Sequence, residues 1–471
     1  MAVGDATSTR GAGPNDTDVQ EFRSRLRGQL IAPGDANYDE ARQVHNGMID
    51  RHPRLIAQCR DVADVIAAVR FGRDSGLRIA VRGGGHNAAG LGTCDDGLVI
   101  DLSPMHGVRV DPAARTAQVE GGCVWGDVDH ATHAFGLAAP SGFISTTGVG
   151  GLTLGGGIGN LTRGYGLTID NLLAVDMVLA DGSFVTASVT EHPDLFWAVR
   201  GGGGNFGIVT SFVFGLHAVD TVYAGPMLWH MEQAPEVMRW YRDFILGAPE
   251  EVGGWFAFLK VPPGPPFPTE LHSKTMCGVV WCYTGPAENA ESTFAPIRRI
   301  GPPALDLVGP LPFPVLQSMF DPLVPKGIQS YWRADFVKEL SDDAIALHFE
   351  HAAKLPTLQS TIHLYPIDGA AHRVGKDDTA FSYRDANWAE VIVGFSGEPA
   401  EADVIKSWTI DYWEALHPHS LPGAYVNFMM DEGIDRIKAT YRENYARLGQ
   451  IKNRYDPTNL FQVNQNIAPA I

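Results

Sequence analysis

Two stretches decide how this chain reads: Val81-Arg82-Gly83-Gly84-Gly85-His86-Asn87, and Gly148-Val149-Gly150-Gly151-Leu152-Thr153-Leu154-Gly155-Gly156-Gly157-Ile158-Gly159. Glycine reaches positive φ without strain and lets a ligand approach the backbone. Successive bare N–H groups then form a nest for an anion. The first run also carries one imidazole, His86, at its tip. Together they predict a diphosphate cradle with a histidine placed to hydrogen-bond a phosphate, ligate a metal or bond a cofactor. A third run, Gly201-Gly202-Gly203-Gly204-Asn205-Phe206-Gly207, contains G-x-G-x-x-G at Gly202, Gly204 and Gly207. That dinucleotide fingerprint needs a strand before it and a helix after it. Here Asp194 to Val199 reads as a helical turn and a strand begins at Ile208, so a nicotinamide site is rejected, and the chain contains no P-loop.

Outward from these loops the pattern is α/β. Leu55-Ile56-Ala57 reads as a strand; Val62, Val65, Ile66 and Val69 stripe one helix face, which Gly76 closes. Ile79 to Val81 leads into the first loop, and Val99 to Leu102 is a further buried strand. Val108/Val110 and Ala117/Val119 alternate about Asp111-Pro112, and Ala174 to Leu179 pairs with Phe184 to Thr186 about Asp181-Gly182; both read as hairpins. Trp125, Val128, Thr132 and Phe135 mark a helix ending at Gly136. Residues 38–218 form one unit. Beyond Val219 the texture changes: five prolines fall between Pro262 and Pro268, and Trp and Tyr thicken. Residues 219–420 read as a substrate-side domain of strands and amphipathic helices. In the C-terminal segment, 421–471, Ile437, Tyr441, Tyr445 and Leu448 predict one helix ending before Asp456-Pro457. Residues 1–37 read as a partly disordered leader without a signal-peptide pattern.

Bulk properties exclude whole classes of function. The 471 residues carry a net charge of −18, which repels nucleic acid and anionic membranes. No apolar run of about 18 residues is present to span a membrane, which points to a cytoplasmic protein. Five cysteines (Cys59, Cys94, Cys123, Cys277, Cys282) without C-x-x-C spacing argue against a disulfide framework or zinc site. His130/His133 and His348/His351 lack a third ligand and read as ordinary surface or core residues. No metal is expected, and a monomer or homodimer suffices.

The chain resembles the FAD-linked oxidases of the berberine-bridge-enzyme type, within the vanillyl-alcohol-oxidase superfamily. The resemblance rests on Arg82 to Asn87, Gly148 to Gly159, Arg163-Gly-Tyr165-Gly-Leu-Thr-Ile-Asp170-Asn171, Asp194 to Gly207 and Lys452-Asn-Arg-Tyr455-Asp-Pro457-Thr-Asn459-Leu-Phe461 with Asn464 to Ile467. It spans the chain from about Val44 onward and implies an α+β architecture: a PCMH-type FAD-binding domain of two α/β subdomains, and a substrate domain with an antiparallel sheet covered by helices.

The resemblance further implies that Arg82, Gly83, Gly84, Gly85 and Asn87 wrap the FAD diphosphate, with Gly90 beyond them, and that His86 bonds the 8α-methyl carbon of the flavin. Ser141, Gly142, Thr146 and Thr147 lead into the second loop. There Gly148, Gly151, Gly156, Gly157 and Gly159 would line isoalloxazine and pyrophosphate. Gly207 and Val209 would lie near the adenine, with Asn464 and Asn466 approaching from the C-terminal side. Many relatives hold the flavin a second time through a cysteine. Ile144 stands at that position here and Cys123 does not align with it, so a single bond through His86 is expected. Thr147 occupies a position near the oxygen route that is often aliphatic.

Flavin oxidation of an alcohol needs a base beside the carbon that loses hydride. Tyr425, with Asn427 to orient it, and Tyr165 are the candidates the resemblance places near the reactive face. A phenol with an ordinary pKa near ~10 needs hydrogen-bonding help to act as a base. His363 and Tyr365 alternate on a predicted strand and therefore share a face, toward either pocket or solvent. Three activities follow: an oxidase that takes hydride from a small organic substrate and reduces O2 to H2O2, a dehydrogenase with another acceptor, or a redox-neutral flavoprotein.

Overall fold

The computed structural model describes residues 13–470. Three large sheets follow one another along the chain, and Leu137–Ala138 pairs with His217–Ala218 in a further two-stranded one. The first has four strands in the spatial order Gln29–Ile31, Leu55–Gln58, Leu98–Asp101, Ile79–Arg82. The last three pair in parallel, and Gln29–Ile31 adds an antiparallel edge. Helix Val62–Asp74 makes the crossover between parallel strands; the Asp61 side chain caps its start, and Gly76 follows its end at φ +64°. The strand Ile79–Arg82, buried except at half-buried Val81, delivers the chain directly into the first glycine loop.

The second sheet is antiparallel, in the order Val108–Asp111, Thr116–Glu120, Ile208–Gly215, Leu172–Val178, Phe184–Ser188. Both predicted hairpins form. The third sheet, also antiparallel, comprises the strands between Thr221 and Ser396, with Val252–Lys260, Thr361–Pro366 and Trp388–Ser396 adjacent at its centre. Side-chain parity sorts its two faces. Phe256, Phe258, Ile362, Leu364 and Ile392 join Tyr241, Ile345 and Tyr412 of helices Ala234–Gly247, Asp342–Ala352 and Ala402–Leu416 in one core. Trp255, Ala257, Tyr365, Val391 and Val393 face the other way, in the core shared with Trp125, Val149 and Phe212 of the first half. The α+β arrangement implied by the resemblance is therefore present.

Buried ion pairs join the halves. Arg384 grips Asp170 through both carboxylate oxygens (2.6 and 2.8 Å), and Arg163 bonds Asp368 at 2.8 Å. At the C-terminus, fully buried Lys452 donates to Asp456 (2.7 Å), to the Asn205 carbonyl (2.7 Å) and to the Phe461 carbonyl (3.0 Å). This anchors the last segment onto the third glycine run.

Three expectations need correction. Within 1–37, residues 1–12 lie outside the described residues, but Asp16–Arg25 is a helix with an Asn15–Asp18 capping box, followed by strand Gln29–Ile31. The second glycine run is not a loop throughout, because Val149–Leu154 is a short helix. The predicted C-terminal helix is two, Ile434–Tyr441 and Asn444–Tyr455, broken at Arg442 with φ +47°. There the Arg442 guanidinium sits 3.6 Å from the Tyr383 ring centroid and pairs with Asp385 at 2.6 Å.

Candidate active site

The three sheets enclose one cavity of about 540 Å3 running from the first glycine loop to the inner face of the third sheet. That volume lies within the range of cofactor and substrate sites. Its first part is built by backbone contact. A Cβ built on Gly148 would fall 2.3 Å from the Gly84 nitrogen, and one on Gly84 would fall 2.4 Å from the Gly148 nitrogen. The two glycine runs therefore touch backbone to backbone, which only glycine permits. Cβ atoms on Gly151 and Gly204, which also line the cavity, would meet nothing within 4 Å and would project into open space. Arg82 is fixed by a buried 2.8 Å pair with Asp101 on the neighbouring strand.

His86 stands in this cradle. Its Nε2 lies 3.1 Å from the Thr146 hydroxyl, and its ring stacks on His45 at 3.9 Å. Burial, reinforced by the neighbouring His45, pushes its pKa down to about 3. The imidazole is therefore neutral and keeps a nitrogen lone pair. His45 is lowered too, chiefly by burial, and its Nε2 donates to the Val324 carbonyl at 2.9 Å.

Tyr425 is fully buried and lines the same cavity. Its oxygen accepts the Gly157 amide (2.9 Å) and the Asn427 side-chain amide (2.7 Å). Burial pushes its pKa up to about 12, and these donors oppose that rise. His363 and Tyr365 share the cavity face of strand Thr361–Pro366, as their alternation required, with His363 Nδ1 2.5 Å from the Tyr365 hydroxyl.

Most residues expected at the cofactor line the cavity: Arg82 to Asn87, then Gly142, Thr147, Gly148 and Gly151, then Gly207, Val209 and Asn464. Ile144 lines it as well. Others do not. Gly90 turns at φ +73° against Ile49, and Ser141 is held by the Gln317 amide. Thr146 reaches the site only through its bond to His86. Gly156 packs on Phe381, Gly157 spends its amide on Tyr425, and Gly159 closes on the Ser141 carbonyl. Asn466 also falls outside the lining. Tyr165 is not a wall residue either: its ring packs on His217 at 4.3 Å, outside the cavity. Sequence reasoning missed His45, Phe143, Trp255 and Trp332, all on the wall. Trp255 and Trp332 lie in strands, Val252–Lys260 and Gln329–Val337, but neither position by itself marks a cavity wall.

Two observations test whether FAD fits. The glycine cradle offers backbone amides over a space that side chains would fill. Asn464 Oδ1, on the cavity-lining C-terminal segment, is buried with no partner among the described residues. Both suit a large dinucleotide rich in phosphate oxygens and ring N–H groups. Fold and site together define a PCMH-type flavin-binding oxidoreductase.

Comparison with known proteins agrees. Residues 53–188 match the family model described as FAD binding domain, and residues 424–468 that described as Berberine and berberine like. An FAD-linked oxidoreductase of Dictyostelium discoideum is 34% identical, over 96% of this chain and 97% of its own. The (R)-6-hydroxynicotine oxidase of Paenarthrobacter nicotinovorans is 30% identical, over 94% and 97%. The crystal structure of 6-hydroxy-D-nicotine oxidase from Arthrobacter nicotinovorans superposes with a TM-score of 0.84 at 27% identity, covering 94% of this chain and 98% of that one. The chain belongs to the berberine-bridge-enzyme-like FAD-linked oxidoreductases. Among the described residues no helix is long and apolar enough to cross a membrane.

Proposed function

We propose that this enzyme is an oxidase that removes hydride from a small organic substrate and reduces O2 to H2O2, its FAD tethered through His86 alone. Bound FAD supplies the two-electron acceptor. One observation carries the reading: a neutral imidazole stands in the glycine cradle, while Ile144, which has no nucleophile, occupies the same wall where a second tether would start. Residues 38–218 with 421–471 hold the cofactor in this reading, and residues 219–420 hold the substrate.

Arg82 to Asn87 and Gly148 to Gly151 hold the diphosphate through backbone amides; Gly207, Val209 and Asn464 bound the rest of the dinucleotide. Tyr425 takes the substrate proton at its phenolic oxygen. The Gly157 and Asn427 donors already point at that oxygen and stabilise the phenolate form that accepts the proton. The aromatic face of the third sheet excludes water and orients the substrate. A second reading, a dehydrogenase with a non-oxygen acceptor, is favoured by Thr147, a hydroxyl on the cavity wall.

The test is direct. Acid-denatured protein retains its yellow colour, a digest gives one flavin peptide containing His86, and substrate turnover in air yields peroxide in proportion to product. Colourless precipitate with free FAD in solution overturns the tether. A flavin peptide containing Cys123 overturns the single bond. Turnover only with an added dye replaces oxidase by dehydrogenase.

A further inference from the structure

The inner face of the third sheet carries a second construction. Thr361, His363 and Tyr365 stand at alternate positions and point the same way. Thr361 donates its single hydroxyl hydrogen to the Phe258 carbonyl at 2.8 Å. Its oxygen, 2.9 Å from His363 Nε2, can then only accept, so Nε2 carries the proton. Burial keeps the ring neutral, its pKa pushed down to about 3, so Nδ1 is a bare lone pair that receives the Tyr365 O–H at 2.5 Å. Every hydrogen in the chain Tyr365–His363–Thr361–Phe258 is thereby directed away from the Tyr365 oxygen. That oxygen faces a ligand as an acceptor only.

Around it lie Phe143, Trp255, Phe320, Trp332 and Phe428. Phe143 stacks on Tyr365 at 4.1 Å; Trp255 meets Phe143 and Phe320 edge-on at 5.6 and 5.4 Å. Phe428 bridges Tyr365 (5.8 Å) to Tyr425 (4.7 Å), so the aromatic box is continuous with the proposed base. No Asp or Glu lines the cavity among the described residues. Its permanent cations are Arg82, already paired with Asp101, and Lys260. Lys260 ends strand Val252–Lys260, five residues and about 16 Å along the strand from Trp255. An anion beside Trp255 would therefore be desolvated without an adjacent cation, and a cation there would meet aromatic faces but no carboxylate.

We propose that this box binds an uncharged, planar aromatic molecule bearing a hydroxyl group, whose hydrogen is accepted by the Tyr365 oxygen. The proposal rests on the oxidoreductase reading only in taking that molecule to be the substrate; the box and its acceptor stand without the flavin.

Calorimetric titration of the purified protein with five probes tests it: 2-naphthol, naphthalene, 2-naphthoate, 2-naphthylmethylammonium and cellobiose. One neutral hydrogen bond predicts 2-naphthol about 5-fold tighter than naphthalene, with the two charged probes and cellobiose weaker still. Tyr365→Phe removes the 2-naphthol advantage and leaves naphthalene affinity unchanged, which also certifies the folded pocket. Thr361→Val frees the His363 tautomer and lowers the same ratio, whereas Thr361→Ser restores it. Equal weakening of 2-naphthol and naphthalene by Tyr365→Phe overturns the proposal. So does 2-naphthoate, the ammonium probe or cellobiose binding as tightly as 2-naphthol. Protein that purifies without flavin refutes the flavoenzyme reading, while the heats still report on the box; yellow protein with a failed ratio refutes the box alone.

Discussion

Replacing Tyr425 with Phe separates catalysis from architecture. The phenolic oxygen accepts two buried donors, the Gly157 amide and Asn427 Nδ2. A stranded buried donor costs about 1–3 kcal/mol. Asn427 keeps its other bond, to the Leu152 carbonyl at 3.0 Å. The net loss of stability is therefore about 2 kcal/mol, inside the ~5–15 kcal/mol that holds a domain together. The rate effect is larger, since a positioned general base contributes about 100- to 10,000-fold. Burial raises the Tyr425 pKa to about 12, so below that value the phenolate fraction, and with it the rate of flavin reduction, climbs with pH. Anaerobic stopped-flow bleaching of the flavin by a turned-over substrate measures both. The expected result is a fall of at least about 100-fold for Tyr425→Phe together with loss of the pH slope. Wild-type reduction rates, or an unchanged pH slope in the variant, would refute the assignment of Tyr425 as base.

Four further outcomes follow from the geometry. His86→Ala leaves protein whose FAD is released by acid, read as loss of colour from the precipitate. Gly148→Ala drives a Cβ to 2.3 Å from the Gly84 nitrogen, so flavin content per mole of protein falls sharply while far-ultraviolet dichroism holds. Lys452→Met strands the buried Asp456 carboxylate and lowers unfolding free energy by about 3–5 kcal/mol in denaturant titration, although Asp456 keeps the Leu460 and Phe461 amides. Asp129 is buried with both oxygens unpartnered among the described residues, and burial raises its pKa to about 8. The folded state then holds a proton that the unfolded chain releases near pH ~4, so stability falls as pH rises from about 4 to about 8. Asp129→Asn accordingly raises Tm more at pH ~8.5 than at pH ~5, by up to a few kcal/mol of stability.

Apart from helix Asp16–Arg25, whose Asn15–Asp18 capping box is local, the errors of sequence reading share one form. Tyr441 and Tyr445 continue a helical stripe, yet the helix breaks between them because Arg442 is drawn to Tyr383 and Asp385, more than fifty positions away in the chain. Gly150 and Gly151 disfavour a helix by about 1 kcal/mol each, yet Val149–Leu154 is helical, with its N-cap Gly148 packed backbone to backbone on Gly84. Tyr165 carried a family signal, and its ring nonetheless packs on His217. In each case a distant partner overrides a local preference, and no window of sequence contains that partner.

What the chain itself determined was therefore local and backbone-borne. Glycine runs have a conformational meaning at any position, alternation fixes which side chains share a face, and the histidine at a glycine tip is visible without a partner. The glycine cradle, the hairpins and the shared face of His363 and Tyr365 were legible for that reason. Tertiary structure alone decided which face of each strand meets the cavity, that His45 stacks on His86, and that six aromatic side chains from separate segments enclose a wall without carboxylates. Those features are set by contacts between residues far apart in the chain, and only the packed chain brings them together.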